Sequence, residues 1–335
     1  MHLTLNKLLP IYFVLCGTMI TLSSSSWMMA WTGLEINMLA FIPIIMTNTK
    51  LSNESALKYF FIQATGSIII FLSTIILMQA NFSTSMDVSN LLANSLIPLA
   101  LALKLGAAPM HFWFPQMVEG LSWLALSLLL TWQKMAPLFL MSSYSLLTTL
   151  IYVMVVLSAI TGAMGGLNQL LLKKILAYSS INHLAWMIMS AMISMNILLT
   201  YFIIYIIITL MIILLLMSNN LTHLSQLMAN QYSLSLIAVG LFLNLLSLGG
   251  LPPFLGFLPK WLVLMSLASN AFFMIMIILV MCSVLTLYFY MRISFNLLMM
   301  NPKLSWFNKS LLHMTWPVKV ASMCPIITLP LMTMM

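Results

Sequence analysis

Residues 197–217 form one apolar run without a single charged residue, glycine or proline. A helix of that length, at about 1.5 Å per residue, spans roughly 30 Å, the thickness of a bilayer's hydrocarbon core. Similar runs recur along the chain, and none shows the period-2 alternation of an outer-membrane barrel strand. In hydrocarbon each backbone polar group must be paired within its own segment, so the runs read as helices. Charged residues make up 5% of the 335 and hydrophobic residues 63%, whereas a soluble domain carries about 25% charged residues. The sequence predicts an all-α polytopic membrane protein.

The runs mark eleven spans, at about 8–22, 27–46, 59–79, a fourth starting near 91, then 121–140, 146–165, 170–192, 197–217, 234–268, 271–295 and 316–332. The fourth is interrupted at Gly106-Ala-Ala-Pro109 and the ninth at Leu248-Gly-Gly-Leu-Pro-Pro253. Glycine and proline at membrane depth are tolerated only inside protein or beside a watery cavity. Broken spans in matching positions of two halves point to a transporter-like ion site. The offset of five predicts a single domain over 1–335 of two inverted five-helix repeats, about 8–140 and 146–295. The helix at about 316–332 is then an extra.

Basic residues support this map. Lys7, Lys50, Lys58, Lys173, Lys174, Arg292, Lys303, Lys309 and Lys319 fall on one predicted side, and the opposite loops hold no Lys or Arg. The net charge of +8 therefore reads as topology rather than as a nucleic-acid surface. The positive-inside rule puts the N-terminus on the cytoplasm-like side, and an odd span count puts the C-terminus opposite. No cleavable leader is apparent, so the first run is expected to remain as a helix.

Away from the span ends, four charged residues lie within spans: Glu35, Lys104, Lys134 and Lys260. Each costs about 2.5–3.5 kcal/mol at a helix centre on insertion scales. Structural ion pairing or snorkelling is the plain explanation for a charge of this kind. Glu35 lies roughly 12 Å into its span, too deep for so short a side chain to snorkel. As the one carboxylate within a span, it is the natural partner for Lys104. Desolvation set against a nearby carboxylate can let a buried lysine gain and lose a proton near neutrality. Movement of Glu35 relative to Lys104 would then change how readily Lys134 holds its proton. His183, in Tyr178-Ser-Ser-Ile-Asn-His183, is either a hydrogen-bonded core histidine or a proton relay, and His111 beside the first break invites the same two readings.

Other chemistry is missing from the sequence. Cys16, Cys282 and Cys324 are scattered without a CxxC pair, and no His/Cys/carboxylate cluster has metal-ligand spacing. No dinucleotide fingerprint, phosphate loop or Ser-His-Asp arrangement is present. Methionine, at 33 of 335, extends into loops and the C-terminus, which fits a genetic code with an extra methionine codon better than core filling alone.

Several stretches together resemble a known family. They are Trp31-Thr-Gly-Leu-Glu35-Ile-Asn-Met-Leu-Ala40, Lys104-Leu-Gly-Ala-Ala-Pro-Met-His-Phe-Trp113, Leu130-Thr-Trp-Gln-Lys134-Met-Ala-Pro137 and Gly165-Gly-Leu-Asn168. Ala177-Tyr-Ser-Ser-Ile-Asn-His183, Gly249-Gly-Leu-Pro-Pro253, Gly256-Phe-Leu-Pro-Lys260-Trp261 and Leu287-Tyr-Phe-Tyr-Met-Arg292 complete the set. In this order they resemble the chain 2 family of animal mitochondrial NADH–ubiquinone oxidoreductase, or respiratory complex I. The resemblance implies an antiporter-like proton-channel subunit of the membrane arm, shortened by three N-terminal helices. It further implies mitochondrial encoding, an inner-membrane location with the N-terminus on the matrix side, and the C-terminus facing the intermembrane space. By position, Glu35 and Lys104 match the coupling pair, Lys134 the central relay, His183 a bridging site and Lys260 the exit-side lysine. Gln116 departs from the pattern, since many relatives carry a carboxylate after the proline; Glu119 lies close by.

The expected function is therefore a proton channel coupled to electron transfer from NADH to ubiquinone, with no redox centre in this chain. NADH, FMN, iron–sulfur clusters and ubiquinone would belong to other subunits. The partners implied are other membrane-arm subunits, including antiporter-like chains, and lipids, with no nucleic acid. The alternatives are a free-standing cation/proton antiporter and an inert membrane scaffold. A scaffold would have no use for four intramembrane charges costing together on the order of 10 kcal/mol.

Overall fold

A computed structural model describes residues 5–47, 49–80, 86–143, 148–229 and 235–299. Among them the chain is helical and contains no strand, only an isolated bridge between Leu171 and His223. The helices are α1 (Leu5–Ser23), α2 (Trp27–Ile45), α3 (Lys50–Ala80), α4 (Met86–Leu105), α5 (Trp113–Val118), α6 (Trp123–Leu130) and α7 (Trp132–Ser142). They continue with α8 (Thr148–Leu167), α9 (Leu172–Ile193), α10 (Met195–Ser218), α11 (Leu224–Ala229), α12 (Ser235–Gly249), α13 (Phe257–Ser269) and α14 (Phe273–Met299). The expected span at 316–332 lies outside the described residues.

Among the described residues, six stretches are long and apolar enough to cross a membrane: Trp27–Ile45, Lys50–Gln79, Trp123–Ser142, Thr149–Leu167, Met195–Ser218 and Phe273–Phe295. Leu8–Ser23, Leu92–Leu105, Ala238–Gly249 and Phe257–Ser269 are shorter apolar helices. Along α14 the exposed side chains Met274, Ile277, Met281, Val284 and Tyr288 recur at helical spacing, giving an apolar outward face. Such a face suits lipid tails or a neighbouring helix.

Two compact units divide the chain between Ser158 and Ala159, within α8. In the first, α1 lies against α2 at a glycine-to-glycine crossing. A Cβ on Gly17 would stand 2.8 Å from the Asn37 nitrogen and 2.9 Å from the Gly33 carbonyl oxygen. Without a driving force from water, membrane helices gain most from such backbone approach through small residues. The crossing fixes α2, the helix that carries Glu35 and Asn37. In the second unit α9 is buried along nearly its whole length from Ile175 and packs on α10, α13 and α14. A helix buried on every side can carry His183, Asn182 and its serines away from lipid.

Both expected breaks are present, between α4 and α5 and between α12 and α13. Gly106 has φ +73° and Gly250 φ +81°, the left-handed turn that ends a helix and that glycine adopts without a Cβ clash. The structure adds a further discontinuity. The span expected at 121–140 is two helices meeting at Thr131, whose φ of −112° and ψ of −75° leave the helical path. There the Thr131 hydroxyl donates to the Ser127 carbonyl at 2.6 Å, a back-bond that bends helices. Pro137 supplies no N–H to the Gln133 carbonyl four residues earlier. α3 is also longer than expected, starting at Lys50 rather than near 59, with Thr49 Oγ1 accepting from the Ser52 amide at 3.3 Å.

Candidate functional site

In the first unit the site forms where α2, α3, α4 and α7 converge. Lys104 occupies the last turn of α4 and Lys134 the first turn of α7; both are buried. They line one cavity of about 20 Å³ together with Asn37, Tyr59, Gln63, Trp113, Phe114 and Gln133. Such a volume accommodates about one water. The Lys134 ammonium lies 5.7 Å from the centre of the Phe114 ring, within cation–π range.

Lys104 Nζ is buried without a hydrogen-bond partner. Half-buried Glu35 acts on it through charge rather than through a hydrogen bond. On α3, Gly66 leaves space for the lysine stem: a Cβ there would lie 3.1 Å from Lys104 Cγ.

The end of α4 is capped by side chains from elsewhere in the unit. Gln63 Nε2 donates to the Lys104 carbonyl at 3.1 Å, and Trp113 Nε1 to the Leu103 carbonyl at 3.2 Å. The Gln63 bond satisfies a carbonyl that a broken helix would otherwise strand, while the Leu103 carbonyl also accepts from the Gly106 amide at 3.2 Å. Gln133 Nε2 donates to Asn37 Oδ1 at 2.9 Å, and the Tyr59 hydroxyl to Gln133 Oε1 at 3.5 Å. Asn37, Tyr59, Gln63 and Gln133 were given no role by the sequence. The available signal was adjacency: Asn37 is two residues from Glu35, and Gln133 precedes Lys134.

In the second unit Lys260 comes from α13 and is buried. Its Nζ donates to the Gly249 carbonyl at 2.8 Å and lies 5.9 Å from the Trp186 ring centre. That carbonyl is at the C-terminal end of α12, where unpaired acceptors and the negative end of the helix dipole favour a cation. His183 stands one turn before Trp186 on α9, with Nδ1 2.9 Å from the Tyr201 hydroxyl and its ring 5.3 Å from that of Tyr205. Two sets thus form within their own units: Lys104 and Lys134 on one cavity in the first, and in the second Lys260 by the Trp186 ring with His183 one turn before Trp186. His111 Nδ1 is 3.3 Å from the Pro109 carbonyl oxygen, while Gln116 and Glu119 are exposed. Among the described residues no three His, Cys, Asp or Glu side chains converge as metal ligands would.

Residues 24–286 match the profile of the NADH:quinone oxidoreductase/Mrp antiporter transmembrane family. NADH-ubiquinone oxidoreductase chain 2 of Aedes aegypti is 47% identical over 305 residues, covering 88% of each chain. The Anopheles gambiae chain 2 is 44% identical over 297 residues, covering 88% of this chain and 86% of that one. The chain belongs to the NADH-ubiquinone oxidoreductase chain 2 family. The fold recurs in solved structures of far lower identity. A chain of respiratory complex I from Thermus thermophilus superposes with a TM-score of 0.86 at 20% identity, covering 99% of this chain and 79% of that one. A chain of the Mrp complex from Dietzia gives 0.75 at 15% identity, covering 97% and 74%. The two show the antiporter-like membrane fold of a chain 2 member on different assemblies.

Proposed function

We propose that the chain is a proton-translocating subunit of the membrane arm of a mitochondrial NADH–ubiquinone reductase, and that Glu35, Lys104, Lys134, His183 and Lys260 carry the protons. The observation that carries this reading is the cavity shared by Lys104 and Lys134, two buried lysines beside a broken helix. Two lysines on one cavity are costly to keep charged together, and so are suited to exchanging a proton. Glu35 sets the charge felt by Lys104, Lys134 passes the proton on, His183 bridges and Lys260 serves the exit side.

The chain binds no redox cofactor of its own in this reading, and works with other membrane-arm subunits and lipids. It is organised as inverted repeats at about 8–140 and 146–295 plus a helix near 316–332. The N-terminus lies on the matrix side of the inner membrane and the C-terminus faces the intermembrane space.

The test compares Lys134→Met with Lys134→Arg. Met keeps a similar volume and should spare assembly, yet stall coupled turnover. Arg stays protonated and cannot hand its proton on, so it should do little better. Near-normal pumping per assembled complex with Arg would make Lys134 a structural cation and refute the relay. The kinship with Mrp antiporters keeps a second reading in play, a free-standing cation/proton antiporter. A native gel separates the two, since a subunit migrates within a large assembly.

A further inference from the structure

Hydroxyls in this chain mostly bond to carbonyls of their own helix, as Ser127 does to Leu124 and Ser73 to Ile70. Asn37, Tyr59 and Gln133 behave differently. They bond to one another across α2, α3 and α7, and all three line the cavity that holds Lys104 and Lys134. The Gln133 amide is fixed at both ends, its nitrogen on Asn37 and its oxygen under Tyr59. A carboxamide oxygen has two lone pairs, so one remains for a further donor. Lys104 lines the same space, and its buried Nζ meets no acceptor. A water there needs two to four polar partners, and the cavity supplies them.

We propose that Gln133 is a positioning residue for proton transfer between Lys104 and Lys134, holding one water in the cavity through its side-chain oxygen while Asn37 and Tyr59 fix the amide. The proposal rests on the proton-translocating function given above. The water accepts from the Lys104 ammonium and donates one hydrogen to the neutral Lys134 amine and the other to Gln133 Oε1. In the transfer an N–H bond at Lys104 breaks as an O–H bond forms. An O–H bond of the same water breaks as an N–H bond forms at Lys134. One ammonium is lost, one is gained, and the water is regenerated.

The experiment places Gln133→Leu, Tyr59→Phe, their combination and Lys134→Met in the assembled complex in its native membrane. Turnover, protons pumped per NADH and the solvent deuterium isotope effect are measured. Gln133→Leu keeps volume but removes the acceptor, so turnover should fall roughly tenfold and the isotope effect should rise. Tyr59→Phe loses only a hydroxyl and retains the ring contact to Phe41 at 5.2 Å. It should move both readouts the same way by less, and the double variant should be no worse than Gln133→Leu alone. Should Gln133→Leu fail to assemble, Tyr59→Phe carries the test by itself.

Normal turnover and isotope effect in both variants, with Lys134→Met stalled, would overturn the water position and leave the relay standing. Normal turnover in Lys134→Met as well would overturn the relay itself. Slower turnover with an unchanged isotope effect would make Gln133 a packing residue and overturn the proposal.

Discussion

Lys260 Nζ donates to the carbonyl of Gly249 at 2.8 Å, tying the start of α13 to the end of α12 across the helix break. The residue after the acceptor makes this contact feasible. A Cβ on Gly250 would lie 2.8 Å from Lys260 Cδ and 2.9 Å from its Nζ.

Gly250→Ala is therefore expected to displace the Lys260 side chain. It also forces an L-residue to φ +81°, at about 1–2 kcal/mol. Assembled complex should melt lower and pump more slowly. Thermal melting of the purified complex, read beside pumping in vesicles, checks both effects. Unchanged behaviour would mean the lysine has other room to move.

Gly33→Leu should prevent the α1–α2 crossing, because even a Cβ on Gly33 would lie 2.6 Å from Thr21 Cγ2 and 2.9 Å from the Gly17 carbonyl oxygen. We expect the subunit to be missing from the mature complex on a native gel. Normal incorporation would argue that α1 and α2 can separate without cost.

Arg292 donates from one terminal nitrogen to the Leu167 carbonyl at 2.8 Å and from the other to the Gln169 carbonyl at 3.1 Å. A lysine offers a point charge in place of this planar fork. Arg292→Lys should cost about 1–3 kcal/mol, seen as faster protease nicking in the turn between α8 and α9. Cleavage at the native rate would show that the fork contributes little.

Single cysteines at Ser25 and Lys50, in a background without Cys16, Cys282 and Cys324, report orientation. Both positions are exposed, at opposite ends of α2. The matrix-side probe should label Lys50→Cys alone, and the intermembrane-space probe Ser25→Cys alone. Labelling of both from one face would refute α2 as a span.

The burial of Lys104, Lys134 and Lys260 was legible because a charged side chain in an apolar run has few cheap explanations. The two breaks were legible because glycine and proline act on the backbone directly. The discontinuity at Thr131 was not, since its immediate sign is a hydroxyl that bonds to Ser127 of its own helix, as many harmless serines and threonines do. The early start of α3 was hidden because Lys50–Lys58 continues a helix without the apolar pattern that marks a span. Asn37, Tyr59, Gln63 and Gln133 were invisible as a group. An uncharged polar residue costs little in a membrane helix if it finds any partner, so its presence alone announces nothing. Only the cross-helix bonds distinguish these four.

The bridge at Leu171 and His223 bears on how the second unit opens. Leu172 N donates to the Thr222 carbonyl at 3.0 Å and Leu224 N to the Leu170 carbonyl at 3.1 Å. Helix ends ordinarily fray first, each on its own, exposing their amides to exchange at almost no free-energy cost. Here the start of α9 and the loop after α10 are stitched amide to carbonyl, so neither end can loosen without the other. These termini should exchange hydrogen together and late, as one cooperative block that resists peeling from its edge.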